Sequence, residues 1–255
     1  MEKYELPLVI FTVLSQLSVG MTLSLTYSQW RDKALIKRQI WLINIVLFSV
    51  SGLAALLHLA HPLHAYRALF NLSNAWLSRE ILCAMIYGGT LVFCFIRYNV
   101  RLASLIASLC GIILIFVQGM TYAATAMVAI ANGFTMILFF LSVWVLGAAV
   151  APLHGFERHV NILRQGMVAV IVLLFAATAV WCSGNVIMQQ TADNWLTSPL
   201  FALCIVSMIS GIFMSYRYPR AYKLIFSLVV ISLISGRLVF FGETVSTINN
   251  IGSLY

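Results

Sequence analysis

Three of the five histidines and one of the seven carboxylates of this 255-residue chain are close together in the sequence. His58, His61 and His64 lie at intervals of three residues, and Glu80 follows 16 residues after the last of them. A neutral imidazole takes up a proton near physiological pH, and a carboxylate can pass a proton on to water. These residue types in this pattern favour proton-coupled chemistry.

The composition predicts the elements that must position these residues. The chain is 62% hydrophobic and 9% charged, whereas soluble domains carry about 25% charged residues. A transmembrane helix needs about 20 mostly apolar residues. Eight such runs are present, at residues 8–28, 39–60, 80–96, 102–122, 131–152, 165–184, 197–216 and 224–243. We therefore expect an all-α polytopic membrane protein, a single-domain bundle of eight transmembrane helices over residues 1–255.

The distribution of basic residues predicts the orientation of this bundle. Eleven of the 15 Lys and Arg residues fall in the connections after the first, third, fifth and seventh runs. The positive-inside rule places those connections in the cytoplasm, so both termini are expected outside. His58 and Glu80 then lie at the outer ends of the second and third runs. The net charge of +8 reflects topology and contact with anionic lipid headgroups, and no nucleic-acid partner is expected.

Metal-centred sites fit the sequence poorly. The three histidines near residue 60 would share one face of a continued helix, but Pro62 biases the residue before it away from helical geometry. Haem b needs histidines on two facing helices, and His154 and His159 are predicted on the opposite side. The five cysteines form no C-x-x-C pair, which disfavours an iron–sulfur cluster or a structural zinc site.

Quinol oxidation fits the residues better. It releases two electrons and two protons, so its site needs proton acceptors beside an apolar slot for the ring. His58 and Glu80 flank the same outer connection, and an ionisable residue at membrane depth is a functional candidate. Alternatively, His58 bonds a backbone carbonyl and Glu80 only favours a helix N-terminus. Both interpretations stay open from the residues alone.

A second candidate group lies near the end of the eighth run. Arg237 is the one basic residue well inside an apolar run, and it can bind a quinone oxygen, pair with a carboxylate or snorkel to the interface.

Other polar segments have two interpretations each. The segment 61–79 is either a short interfacial helix or a docking platform. Gln118 and Tyr122 either line a pocket or serve helix packing.

Four patterns in sequence order also resemble one known family. They are Glu5-Leu6-Pro7-Leu8-Val9-Ile10-Phe11-Thr12 with Gln16 and Gly20, Leu57-His58-Leu59-x-x-Pro62 with Ala65, Leu77-Ser78-x-Glu80-Ile81, and Gly236-Arg237-x-Val239-Phe240-x-Gly242. Together they resemble the DMSO reductase anchor subunit (DmsC-type) family, and the resemblance covers essentially the whole sequence.

The resemblance implies a haem-free, eight-helix subunit of the bacterial inner membrane with both termini periplasmic. Its implied partners are a four-cluster iron–sulfur subunit and, through it, a molybdopterin catalytic subunit. Its implied substrate is menaquinol, with no haem, iron–sulfur cluster or metal bound by this chain. The functional histidine and glutamate of the family fall on His58 and Glu80. Arg237, His61 and Tyr66 complete the candidate quinol-binding residues.

Two other classes of membrane protein are weighed against this interpretation. A transporter would show internal repeats and a binding site near the membrane midplane, whereas the polar residues here lie at one end of the predicted bundle. A haem b cytochrome subunit is disfavoured because the histidines do not form a pair across two helices on one side.

Overall fold

The computed structural model describes residues 4–58, 70–156 and 160–247, and it describes the backbone but not the side chain of His58. Nine α-helices and no strands occur in these ranges. The helices are α1 (Leu6–Arg31), α2 (Arg38–His58), α3 (Trp76–Ile96), α4 (Arg101–Tyr122), α5 (Gly133–Val150), α6 (Val160–Cys182), α7 (Val186–Thr197), α8 (Pro199–Arg217) and α9 (Tyr222–Gly242). A short 3-10 helix, Ala151–His154, continues α5.

Eight of the described helices are long and apolar enough to cross a membrane. They correspond one to one with the eight predicted runs, so the eight-helix transmembrane bundle is confirmed. The remaining helix, α7, has only 12 residues and was not predicted. It packs beside the end of α9, where Trp195 Nε1 donates a hydrogen bond to Thr244 Oγ1 at 3.3 Å.

The first span, α1, is the most enclosed helix of the bundle. Seventeen of its 26 residues are buried, and it packs against α2, α4, α5 and α9. Its closest crossing joins Gly20 to Gly147 of α5, where a Cβ added to Gly147 would lie within 3.0 Å of the Gly20 backbone. Ser24 Oγ also donates to the Gly147 carbonyl oxygen at 2.6 Å. Small residues at such a crossing let two membrane helices touch through their backbones.

The start of α3 differs from the prediction. The apolar run was expected to begin at Glu80, but the helix begins at Trp76. Arg79 stabilises this entry, because its Nε donates to the Leu72 carbonyl oxygen at 2.9 Å and its guanidinium lies 4.3 Å above the Trp76 ring. Glu80 therefore lies a full turn inside α3 instead of at its first position.

Candidate functional site

A cavity of about 760 Å³ lies between α1, α2, α3 and the end of α4. Its volume falls within the range of about 300–1,000 Å³ that is usual for small-molecule sites. The wall is almost entirely apolar, and the described residues that line it are Leu8, Phe11, Ile45, Phe48, Ser49, Gly52, Leu53, Ala55, Leu56, Leu77, Glu80, Ile81, Ala84, Met85, Gly88, Leu91, Val92, Thr121 and Tyr122.

Glu80 supplies the one carboxylate among these lining residues. Its side chain is 2% exposed, and neither carboxylate oxygen makes a hydrogen bond of normal geometry with any residue that the structure describes, although Gln118 and Thr121 lie close to it. A buried polar group without a hydrogen-bond partner is costly, and each such group in a native protein calls for an explanation. A ligand or water in the cavity would provide the missing partner.

Polar side chains from α1 and α4 lie behind this carboxylate. Gln118 and Thr121 are its polar neighbours on α4. The Gln118 amide nitrogen donates to Ser15 Oγ on α1 at 3.0 Å, while its side-chain oxygen is buried without a partner among the described residues. The end of the cavity where α3 begins and α4 ends is therefore polar on the side of α4, although every helix around it is apolar overall.

Arg237 forms a second polar group inside the bundle. It is 2% exposed, and its Nη2 donates to Gln16 Oε1 at 2.9 Å and to Ser142 Oγ at 3.1 Å. The guanidinium carbon also lies 3.9 Å from the centroid of the Phe139 ring, which is a cation–π contact. These contacts show that Arg237 is buried instead of snorkelling to the interface.

Tyr122 connects the cavity to the residues around Arg237. It lines the cavity, as Glu80 does. Its ring is held by Phe139 and Phe241, at centroid distances of 5.8 and 5.5 Å. Arg237 is not among the described lining residues, but its guanidinium lies over the Phe139 ring that packs against Tyr122.

The predicted site residues are thus only partly brought together in the described structure. Glu80 lies on the cavity wall, Arg237 lies behind that wall, and His58 is the last residue of α2, whose preceding turns line the cavity. His61 and Tyr66 fall outside the described residues. The structure adds Gln118 and Tyr122, which the sequence left undecided, and Gln16.

A metal centre finds no support in the described part of the protein. Its His, Cys, Asp and Glu residues form no group of three or more that could hold a metal ion. The five cysteines are all free thiols on separate positions of the bundle. The cavity instead offers an apolar slot with one carboxylate and one phenol, a combination suited to a largely apolar ligand that exchanges protons.

Comparison with known proteins gives a consistent picture. A family model described as "DMSO reductase anchor subunit (DmsC)" matches residues 1–198. The C subunit of the anaerobic dimethyl sulfoxide reductase of Haemophilus influenzae is 27% identical to this protein over 268 residues, which cover 94% of each sequence. The YnfH subunit of an anaerobic dimethyl sulfoxide reductase of Escherichia coli is 27% identical over 202 residues, 73% of this sequence and 68% of that relative. No solved structure matches the sequence significantly.

Proposed function

The protein belongs to the DMSO reductase anchor subunit (DmsC) family, and from this premise we propose that it oxidises a quinol in the cavity beside Glu80. As a member of this family it is a multi-pass membrane anchor of a molybdoenzyme complex. One observation carries the proposal of quinol oxidation: a largely apolar cavity of about 760 Å³ has a buried carboxylate on its wall, without a hydrogen-bond partner among the described residues.

The chemistry assigned to the site is a proton-coupled oxidation. A quinol that loses two electrons also loses two protons, one from each hydroxyl group. His58 takes up a proton, and Glu80 relays a proton outward. Neutral imidazole is suited to the first step near physiological pH. A positioned acid–base group of this kind contributes about 10²–10⁴-fold to a rate.

The register of α2 supports a place for His58 beside the cavity. Positions 45, 48, 52 and 55 of this helix line the cavity, and they follow each other at intervals of three or four residues. Residues at these intervals share one face of a helix. Position 58 continues the series, three residues after Ala55, and it is the last position of α2.

Arg237 is proposed to act on the substrate through Tyr122. The phenol lines the cavity, and its ring packs against Phe139, which also contacts the guanidinium. A fixed positive charge in a low-dielectric interior polarises nearby hydrogen-bonding groups more strongly than it would in water. Arg237 would thus orient and polarise the hydroxyl of Tyr122 towards a substrate oxygen. His61 and Tyr66 remain candidate contributors from the outer segment.

The wider scheme places this subunit in an electron-transfer complex. We propose menaquinol as the substrate and the bacterial inner membrane as the location, with both termini periplasmic and the site near the periplasmic face. This subunit supplies no redox centre of its own in the scheme. Electrons pass to a docked four-cluster iron–sulfur subunit and then to a molybdopterin catalytic subunit, which reduces the terminal acceptor.

Photoaffinity labelling of the assembled complex tests where the quinone binds. An azido-naphthoquinone probe, activated in membranes that contain the complete complex, should label peptides of α2 and α3. Excess tailless naphthoquinone should suppress this label, and the Asp193→Asn variant, which changes an exposed carboxylate on α7, should leave it unchanged. Competable label confined to α6, α8 or α9 would contradict the proposed site.

A further inference from the structure

The cavity is much longer than a quinone ring system. On α2 its lining extends from Ile45 to Leu56, and on α3 it extends from Leu77 to Val92. At 1.5 Å of rise per residue, these intervals correspond to about 16 Å and about 22 Å along the helix axes. A fused two-ring headgroup fills only a part of that length, so the rest of the cavity is available to another part of the ligand.

Polarity is distributed unevenly along this length. Three of the four polar lining residues, Glu80, Thr121 and Tyr122, lie at the end of the bundle where α3 begins and α4 ends. Ser49 is the fourth, near the middle of α2. The deeper wall is otherwise apolar, with Ile45, Phe48, Leu91 and Val92 among its members. The cavity thus matches a ligand with a polar head and a long apolar tail.

The long side of the cavity opens between α2 and α3. Leu53 and Met85 line it and are both 61% exposed, and Val92 is 46% exposed. On membrane-spanning helices such exposed apolar side chains face lipid. The cavity therefore communicates with the bilayer through the gap between these two helices, beside the buried carboxylate at its outer end.

Two glycines widen this gap. Gly52 of α2 lines the cavity, and a Cβ added there would meet no atom within 4 Å. Glycine destabilises a helix relative to alanine, and no neighbouring helix requires its small size at this position. Gly88 of α3 lies across the cavity, where an added Cβ would touch the Phe48 ring at 3.4 Å.

We propose that the gap between α2 and α3 binds the isoprenoid tail of the quinol, which lies over Gly52 and Gly88 and leaves there into the bilayer. This inference rests on the proposed quinol site, because the headgroup must sit beside Glu80. The described lining contains no Lys or Arg, and a phospholipid phosphate would have to lie near the Glu80 carboxylate. An uncharged aromatic headgroup with a terpenoid tail fits this wall better than a phospholipid does.

The proposed path of the tail can be tested in the assembled complex by comparing the KM values of two quinols. One is menaquinol with its full side chain, and the other is tailless 2,3-dimethyl-1,4-naphthoquinol. Gly52→Leu places a branched side chain in the path of the isoprenoid tail. We expect the KM for menaquinol to rise about tenfold, which corresponds to about 1.4 kcal/mol of lost binding, while the KM for the tailless quinol stays within about twofold.

Gly89→Leu is the matched control. Gly89 neighbours Gly88 on α3, has no atom near an added Cβ, and is exposed outside the cavity lining. It should leave both KM values unchanged. Gly52→Ala adds one methyl group to open space and should cause a smaller rise for menaquinol in the same direction. It keeps the comparison possible if the leucine variant does not assemble.

The outcomes separate this inference from the proposed function. Two results would show that the proposed path of the tail is wrong, provided that Glu80→Gln is still impaired with both quinols. Either Gly52→Leu leaves both KM values unchanged, as Gly89→Leu should, or it raises both equally. Unchanged KM values are expected if a lipid acyl group occupies the gap. If Glu80→Gln retains wild-type activity with both quinols, the quinol site itself is misplaced, and the inference falls with it.

Discussion

Arg237 Nη2 donates a hydrogen bond to Gln16 Oε1 at 2.9 Å, so a buried charged contact joins the last membrane span to the first. Within the described residues, Glu80 and Arg237 are the only Asp, Glu, Lys or Arg side chains that are buried. Tyr122 lines the cavity, as Glu80 does, and its ring packs against Phe139, which also contacts the Arg237 guanidinium. One aromatic cluster therefore connects the two ionisable side chains.

The contact between Gln16 and Arg237 should be important for stability. Gln16→Leu removes an acceptor from a buried guanidinium, and a hydrogen bond to a charged group contributes about 1.5–3 kcal/mol. We expect a lower midpoint of thermal unfolding for the purified complex and less assembled complex in the membrane. The midpoint is measured from the loss of the monodisperse peak of the purified complex during heating, and the amount of assembled complex is measured from the size of that peak before heating.

Gln29→Leu provides the comparison at the other end of α1. Gln29 is also buried, but its amide donates to the neutral carbonyl oxygen of Tyr98 at 3.1 Å. Loss of a neutral hydrogen bond costs about 0.5–1.5 kcal/mol, so the midpoint should fall less than in Gln16→Leu. Equal decreases in the two variants would show that the charge of Arg237 adds nothing to this contact.

The crossing of α1 and α5 should tolerate no added side chain. Gly147→Ala places a methyl group against the Gly20 backbone, which cannot move as a flexible side chain would. We expect a loss of about 1–3 kcal/mol in stability, measured as a lower unfolding midpoint. Gly133→Ala, at the start of the same helix, adds a methyl group in open space and should be neutral. A neutral Gly147→Ala would contradict the close crossing.

The orientation of the bundle can be checked with fusions. Described basic residues such as Arg31, Arg101 and Arg217 lie at one end of the spans, and the end of the cavity that contains Glu80 lies at the other. Because basic connections stay in the cytoplasm, a reporter active only there should be inactive when it is fused after Tyr255. The same reporter inserted in the connection between α8 and α9 should be active. The reverse pattern would place the cavity on the cytoplasmic side.

The spans could be predicted because each must offer the hydrocarbon an apolar segment of sufficient length. Helix ends could not be predicted in the same way. The run that was expected to begin at Glu80 is a helix from Trp76, since a helix continues beyond its apolar part. Polar α7, with Gln189, Asp193 and Asn194 on it, gives no hydropathy signal and was missed.

The site could be predicted only through its titratable residues. Glu80 and Arg237 were identified because charged groups are rare in membrane spans. For Gln118 and Tyr122 the sequence left open whether they line a pocket or serve helix packing. Both lie on α4, and only the packing of the helices in the bundle brings them close to Glu80 of α3 and to the residues around Arg237 of α9. Gln16 was noted only as part of the family pattern, because α1 carries several other polar side chains and nothing in the sequence shows which of them reaches Arg237.

The ratio of quinol-driven to dye-driven turnover in Glu80→Gln tests the central claim most directly. The variant keeps the size of the side chain but removes its exchangeable carboxyl proton, and reduced viologen delivers electrons without passing through this subunit. The ratio should fall about 10²–10⁴-fold in Glu80→Gln and in His58→Ala, while dye-driven turnover stays at the wild-type level. Asp193→Asn should leave the ratio unchanged. A wild-type ratio in both site variants would contradict the assignment of the quinol site to the cavity beside Glu80.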